Sequence, residues 1–110
     1  MPNAYKILGQ ILPSANTLTN VYVTGASTSA IINTITLCNQ QTSNASIDLI
    51  VRPINEALAA KHYLLSNITI LQADTLIFSP GITMNANCIL AANNKIDGNT
   101  SICAFGVEVT

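Results

Sequence analysis

The sequence predicts an all-β protein: a single-domain antiparallel β-sandwich of about eight short strands, with jelly-roll and immunoglobulin-like strand orders both open. Three observations predict it. Ile, Val and Thr, the residues that suit a pleated, half-buried surface, recur throughout the chain. Asn, Ser, Gly or Pro interrupts the apolar stretches about every ten residues, the rhythm of short strands and turns. Finally, 110 residues with no internal repeat make one domain, residues 1–110, closed over one core.

The elements follow in chain order. Tyr5–Leu12 is the first strand, and Thr17–Val23 the second, left at Thr24-Gly25. In the third, Ser29–Asn39, successive side chains alternate between faces, so Ile31, Ile35 and Leu37 align opposite Thr34 and Thr36. In the fourth, Ala45–Arg52, Ile47, Leu49 and Val51 oppose Ser46, Asp48 and Arg52. Asn55–Lys61 is too short for an independent helix and reads as one helical turn. Strands His62–Ser66 and Asp74–Phe78 follow, and Pro80-Gly81 fits a type II turn. After Asn87–Ala92, the Asp97-Gly98 step within Asn93–Asn99 signals a hairpin into the last strand, Ser101–Val109. There Cys103, Phe105, Val107 and Val109 share one face opposite Ala104, Gly106 and Glu108, which puts one side of the strand in the core.

Composition narrows the function. Hydrophobic residues make up 49% and charged residues 8% of the chain, where an ordinary soluble domain carries about 25% charge. The exposed faces must instead be built from 13 Asn, 12 Thr and 8 Ser. A formal net charge of -1 gives no electrostatic footprint for nucleic acid or an anionic membrane. A surface so poor in charge also lacks the self-repulsion that keeps monomers apart, so the chain reads as one normally packed against others. The longest apolar run, Cys88–Ala92, is far short of a membrane span. Ile7–Leu12, broken by Gly9 and Gln10 and followed by Pro13, makes a poor export signal; none is expected.

Candidate chemistry is sparse. His62 is the only histidine, with no nucleophile or carboxylate marked beside it by sequence. A trio of Cys88, His62 and an Asn lacks every local signature of a cysteine hydrolase. Asp48, Glu56, Asp74, Asp97 and Glu108 stand singly. Asn93–Gly98 faintly matches a calcium loop, but Lys95 occupies a ligand position and Ala104 stands where the bidentate Glu belongs. Cys38, Cys88 and Cys103 have no zinc spacing and read as buried, reduced thiols. The triplets beginning at Asn44, Asn67 and Asn99 match glycosylation acceptors at about the frequency chance supplies. Thr17 with Thr19 and Thr34 with Thr36 hint at a flat hydroxyl surface without a repeat to extend it, and Tyr5, Tyr22, Tyr63, Phe78 and Phe105 read as core or interface residues. No enzyme, metal, cofactor or small-molecule ligand is expected.

Tyr5–Gln10, Thr17–Tyr22, Ile35–Asn39, Ile50–Pro53, Leu58–Tyr63 and Ala104–Val107, read in order, resemble small virion structural proteins of tailed bacteriophages, including cyanophages. The likeness spans nearly the whole chain through strand spacing, the Arg52-Pro53 step and the closing Phe-Gly strand; the Asn-rich second half departs from it. It implies a β-sandwich present in many copies on the virion, made in the host cytoplasm, decorating the capsid as a cement subunit or forming part of the neck, collar, tail or fibres. Its partners would be the major capsid protein or neck and tail subunits, with homo-oligomers expected. The expected contact residues are Tyr5, Ile7, Leu8, Ile11 and Leu12, with residues 1–12 as an interface arm, and Phe105, Val107 and Val109. The rival reading is a receptor- or glycan-binding module using loops Asn39–Asn44 and Asn93–Thr100.

Overall fold

Residues 3–79, 81–95 and 99–109 are described by the structure, a computed structural model. The described residues form nine strands: β1 (Asn3–Ile11), β2 (Thr19–Val23), β3 (Ser29–Asn39), β4 (Ala45–Pro53), β5 (Tyr63–Ile70), β6 (Thr75–Phe78), β7 (Ile82–Met84), β8 (Cys88–Asn94) and β9 (Thr100–Val109). The expected helical turn is a short 3-10 turn, Ala60–His62.

The pairing is nested and antiparallel throughout. β4 pairs with β5, β3 with both β6 and β7, β2 with β8, and β1 with β9. This long folded hairpin is rolled so that β9 also joins β3, and β8 also joins β4. One sheet therefore runs β1-β9-β3-β6, with β7 beside β3, and the other runs β2-β8-β4-β5. With β6 and β7 taken as one broken strand, this is the eight-strand, double Greek-key order of a jelly roll, not the immunoglobulin order.

The core is shared by both sheets. Ile32, Ile35, Leu37 and Ile102 of the first meet Ile47, Leu49, Leu90 and Ala92 of the second, and all are essentially inaccessible. Each such Ile or Leu side chain stabilises the fold by about 1.5–3 kcal/mol relative to leaving it exposed. Polar ties close both ends. At one end the buried Asn39 amide donates to the carbonyls of Ser43, Ile70 and Leu71 while its oxygen accepts the Gln41 N–H. Beside it the buried Asn94 amide donates to Gln41 Oε1 and Thr100 Oγ1. At the other end the Glu108 carboxylate of β9 accepts from Lys6 Nζ of β1 at 2.8 Å and from the Tyr22 hydroxyl of β2, joining the two sheets.

Three sequence expectations are corrected by bulges and connections. The register of β3 against β9 shifts between Ile32 and Thr34, so Asn33 is the extra residue and side-chain parity changes there. Ile32 enters the core and Ile31 faces out with Thr34 and Thr36, rather than aligning with Ile35 and Leu37. In β9 the inward face is Ile102, Ala104 and Gly106, so Cys103, Phe105, Val107 and Val109 point away from the core. At position 106 only glycine fits the approach of β3: a Cβ there would lie 2.0 Å from the Ile31 carbonyl oxygen. The Asp97-Gly98 turn, with Pro80, lies outside the described residues, but β8 and β9 belong to different sheets and form no hairpin. Gly81 adopts φ +66°, as the second central residue of a type II turn does.

Asn16, Asn67 and Asn87 take positive φ angles of 53°, 53° and 59°, conformations that Asn tolerates better than most residues. Part of the asparagine content is therefore turn and bulge chemistry.

Candidate interaction face

The outward side of the β1-β9-β3-β6 sheet is an uncharged surface of apolar side chains interspersed with threonines. Cross-strand register places Tyr5, Val107, Ile31 and Thr83 in one row. Ile7, Phe105 and Thr34 form the next, and Gln10, Cys103, Thr36 and Ile77 the one after. No Asp, Glu, Lys or Arg interrupts these rows. Tyr5 is 84% exposed, Ile77 66%, Ile7 53% and Ile31 43%, values that leave large apolar side chains facing water side by side. Scattered exposed apolar residues are ordinary; a contiguous set on one sheet face marks an interaction surface.

The opposite outer face is treated differently. On the β2-β8-β4-β5 sheet, Ile50, Ile89 and Ala91 also point outward, yet they form a small cluster of their own with Ile50 wholly buried. The segment from Ile54 to His62 returns over this side, its 3-10 turn packing on β4. Arg52 anchors it, Nη1 donating to the Glu56 carbonyl at 2.7 Å. His62 is buried there, Nδ1 accepting the Ala59 N–H and Nε2 lying 3.3 Å from Glu56 Oε1. Hydrogen bonds from Lys61 and then His62 hold the Glu56 carboxyl below the usual range. The Ile50–Ile89–Ala91 cluster is thus buried within the chain, although Ile54, Leu58, Tyr63 and Leu64 around it are exposed, whereas on the other outer face Tyr5, Ile7, Ile31 and Ile77 are left exposed among the described residues.

Five of the expected contact residues, Tyr5, Ile7, Phe105, Val107 and Val109, come together on the β1-β9-β3-β6 face. The other three do not. The β1 register shifts between Ile7 and Gly9, turning Leu8 into the core, where it is 9% exposed. Ile11 packs against the same core, and Leu12 is exposed beyond the end of β1. Residues 3–11 are not a projecting arm; they are hydrogen-bonded along β9 as an edge strand. Ile31 and Ile77 belong to the face and were not anticipated. The Asn33 bulge hides Ile31 from parity reasoning, while Ile77 lies opposite Thr36 and had a readable signal in the alternation of Thr75–Phe78. Tyr5 is not a core residue, and Cys38, Cys88 and Cys103 are half-buried free thiols rather than fully buried ones.

The remaining polar side chains hold the fold together. His62 has the neighbouring carboxylate that sequence did not reveal, Glu56, but the Cys88 thiol lies elsewhere, packed against the core with its Sγ donating to the Ala86 carbonyl. The buried Asp48 carboxylate accepts the Asn67 N–H at 2.8 Å and pairs with Lys95 at 3.2 Å, while Lys95 also donates to Asn67 Oδ1. Within Asn39–Asn44, Asn39 and Gln41 are turned inward, and Asn44 Oδ1 accepts the Gln72 N–H. Among the described residues no three of His, Cys, Asp and Glu converge on one point. No family profile, curated protein or solved structure matches the chain.

Proposed function

We propose that this chain is a non-enzymatic structural subunit of a tailed-phage virion, a capsid-decorating protein that stabilises the particle by packing its outer sheet face against neighbouring subunits. A place at the neck, tail or fibres is the alternative position for the same subunit. The observation that carries the reading is the contrast between the two outer faces. The Ile50–Ile89–Ala91 cluster is buried within the chain, whereas the rows through Phe105 and Ile31 are uncharged and, among the described residues, leave Tyr5, Ile7, Ile31 and Ile77 exposed. Burying apolar side chains of this kind drives association, and interface cores are depleted in charge. The jelly roll is a recurrent viral capsid architecture, which supports the setting by analogy of fold alone. The phage resemblance of Tyr5–Gln10, Ile50–Pro53 and Ala104–Val107 supports the same setting.

The test is to search purified particles of the encoding virus for the chain by mass spectrometry and to map it with antibody-gold labelling. Label distributed over the head is the expected result. Label confined to the neck, tail or fibres moves the subunit to the alternative position, and particles lacking the chain contradict the proposal.

A further inference from the structure

We infer that the occupant of the uncharged outer face is a second copy of this chain, so that two sandwiches stack through their β1-β9-β3-β6 sheets as a closed two-fold dimer. The inference rests on reading that face as an interface and adds its partner. Charge argues for self-pairing first. The rows through Tyr5–Val107–Ile31 and Ile7–Phe105–Thr34 carry no charge, so a like face brings none to desolvate and none to repel. The chain's net charge of -1 adds little long-range repulsion between copies.

Area argues next. β3 and β9 are 11 and 10 residues long, and four strands spaced at about 4.8 Å with about 3.3 Å per residue give a face of roughly 600 Å². Two copies would remove about 1,000–1,200 Å² from water, which meets the lower bound of a specific interface. Shape is suitable as well. The large side chains Tyr5, Ile7, Phe105, Ile31 and Ile77 alternate with Thr34, Thr36, Thr83 and Cys103, leaving low positions into which a partner's side chains can seat. The same face meeting its own copy about a two-fold axis is isologous and closes at two copies.

The β1 and β5 edges are poorer routes. The β1 ladder is interrupted by the bulge between Ile7 and Gly9 and carries Lys6, and the β5 edge is broken by Asn67 at φ 53°. Bulges and edge lysines are devices that discourage strand-to-strand addition.

The experiment is sedimentation equilibrium of the full chain, with Ile31→Glu and Ile31→Lys as probes and Tyr5→Asp as a variant too exposed to disturb folding. Thermal unfolding monitors fold in each. The wild type is expected to be a dimer that dissociates on dilution. Each of the three charged variants should associate at least about a hundredfold more weakly. A dimer unaffected by all three substitutions would overturn the inference by placing the contact elsewhere. A wild-type monomer at about 200 µM would also overturn it, and particle incorporation then separates the two readings. If Tyr5→Asp abolishes incorporation, the face meets a different virion protein and the proposed function stands; if incorporation is unchanged, the chain is a virion subunit that packs through another surface, and the reading of this face falls with the dimer.

Discussion

At the scale of single residues, the tightest constraints lie where backbones approach one another. A Cβ at Gly106 would sit 2.0 Å from the Ile31 carbonyl oxygen, and one at Gly9 the same distance from the Val21 carbonyl oxygen. Neither neighbour is a flexible side-chain end. Gly106→Ala should therefore destabilise the protein by about 3 kcal/mol or more, measured as a lower midpoint in urea. Ala73 is the opposite case. It is held at φ 56° in the turn closed by the Asp74 N–H and the Leu71 carbonyl, a conformation that costs a residue with a Cβ about 1 kcal/mol. Ala73→Gly removes that strain at some cost in unfolded-chain entropy, and a net gain of about 0.5 kcal/mol is expected in the same assay. Neither glycine constraint was legible in sequence, because each arises from a neighbouring strand rather than from local turn chemistry.

At the scale of elements, the Lys6–Glu108–Tyr22 tie joins β1, β9 and β2 across the two sheets. Hydrogen bonds from Lys6 and then Tyr22 lower the Glu108 carboxyl, so its contribution is present above the usual glutamate range and is lost as pH falls through its depressed value. Burial, followed by the bond to Glu108, raises the Tyr22 hydroxyl, so that contribution is present below the ordinary tyrosine range and is lost as pH rises through the raised value. Glu108→Gln should cost about 1 kcal/mol near neutrality, the exposed Lys6 adding little, and should flatten the acid limb of a stability–pH curve. Most strands were legible because their turn residues are strong punctuation; Ser29–Asn39 begins and ends where the sequence predicts it. Faces were harder. In β4 the alternation of Ile47, Leu49 and Val51 with polar neighbours identified the core side. In β9 both faces are apolar, so parity alone had no basis for choosing, and the larger side chains are the outward ones. β7 escaped notice because Ile82–Met84 is only three residues long and shares β3 with β6.

At the scale of the whole molecule, the jelly roll separates two outer faces with different fates. One carries the buried Ile50–Ile89–Ala91 cluster beside the Ile54–His62 segment, which Arg52 and His62 tie down; the other leaves Tyr5, Ile7, Ile31 and Ile77 exposed. Five of its residues were legible because apolar side chains near the chain ends stood out, while the Asn33 bulge concealed Ile31. Cys103 and Cys38 lie on this face as half-buried free thiols, which makes them reporters. Their alkylation should slow as protein concentration rises through the dimer's dissociation range, while Cys88, packed against the core, should react at a constant rate. The most direct measurement for the account as a whole is hydroxyl-radical footprinting of the chain in intact particles and in dilute solution. Tyr5, Ile31, Ile77 and Phe105 should be protected in the particle, with Tyr63, on the edge strand of the other sheet, unchanged. Equal labelling of those four residues in both states would contradict the claim that this face is where the protein does its work.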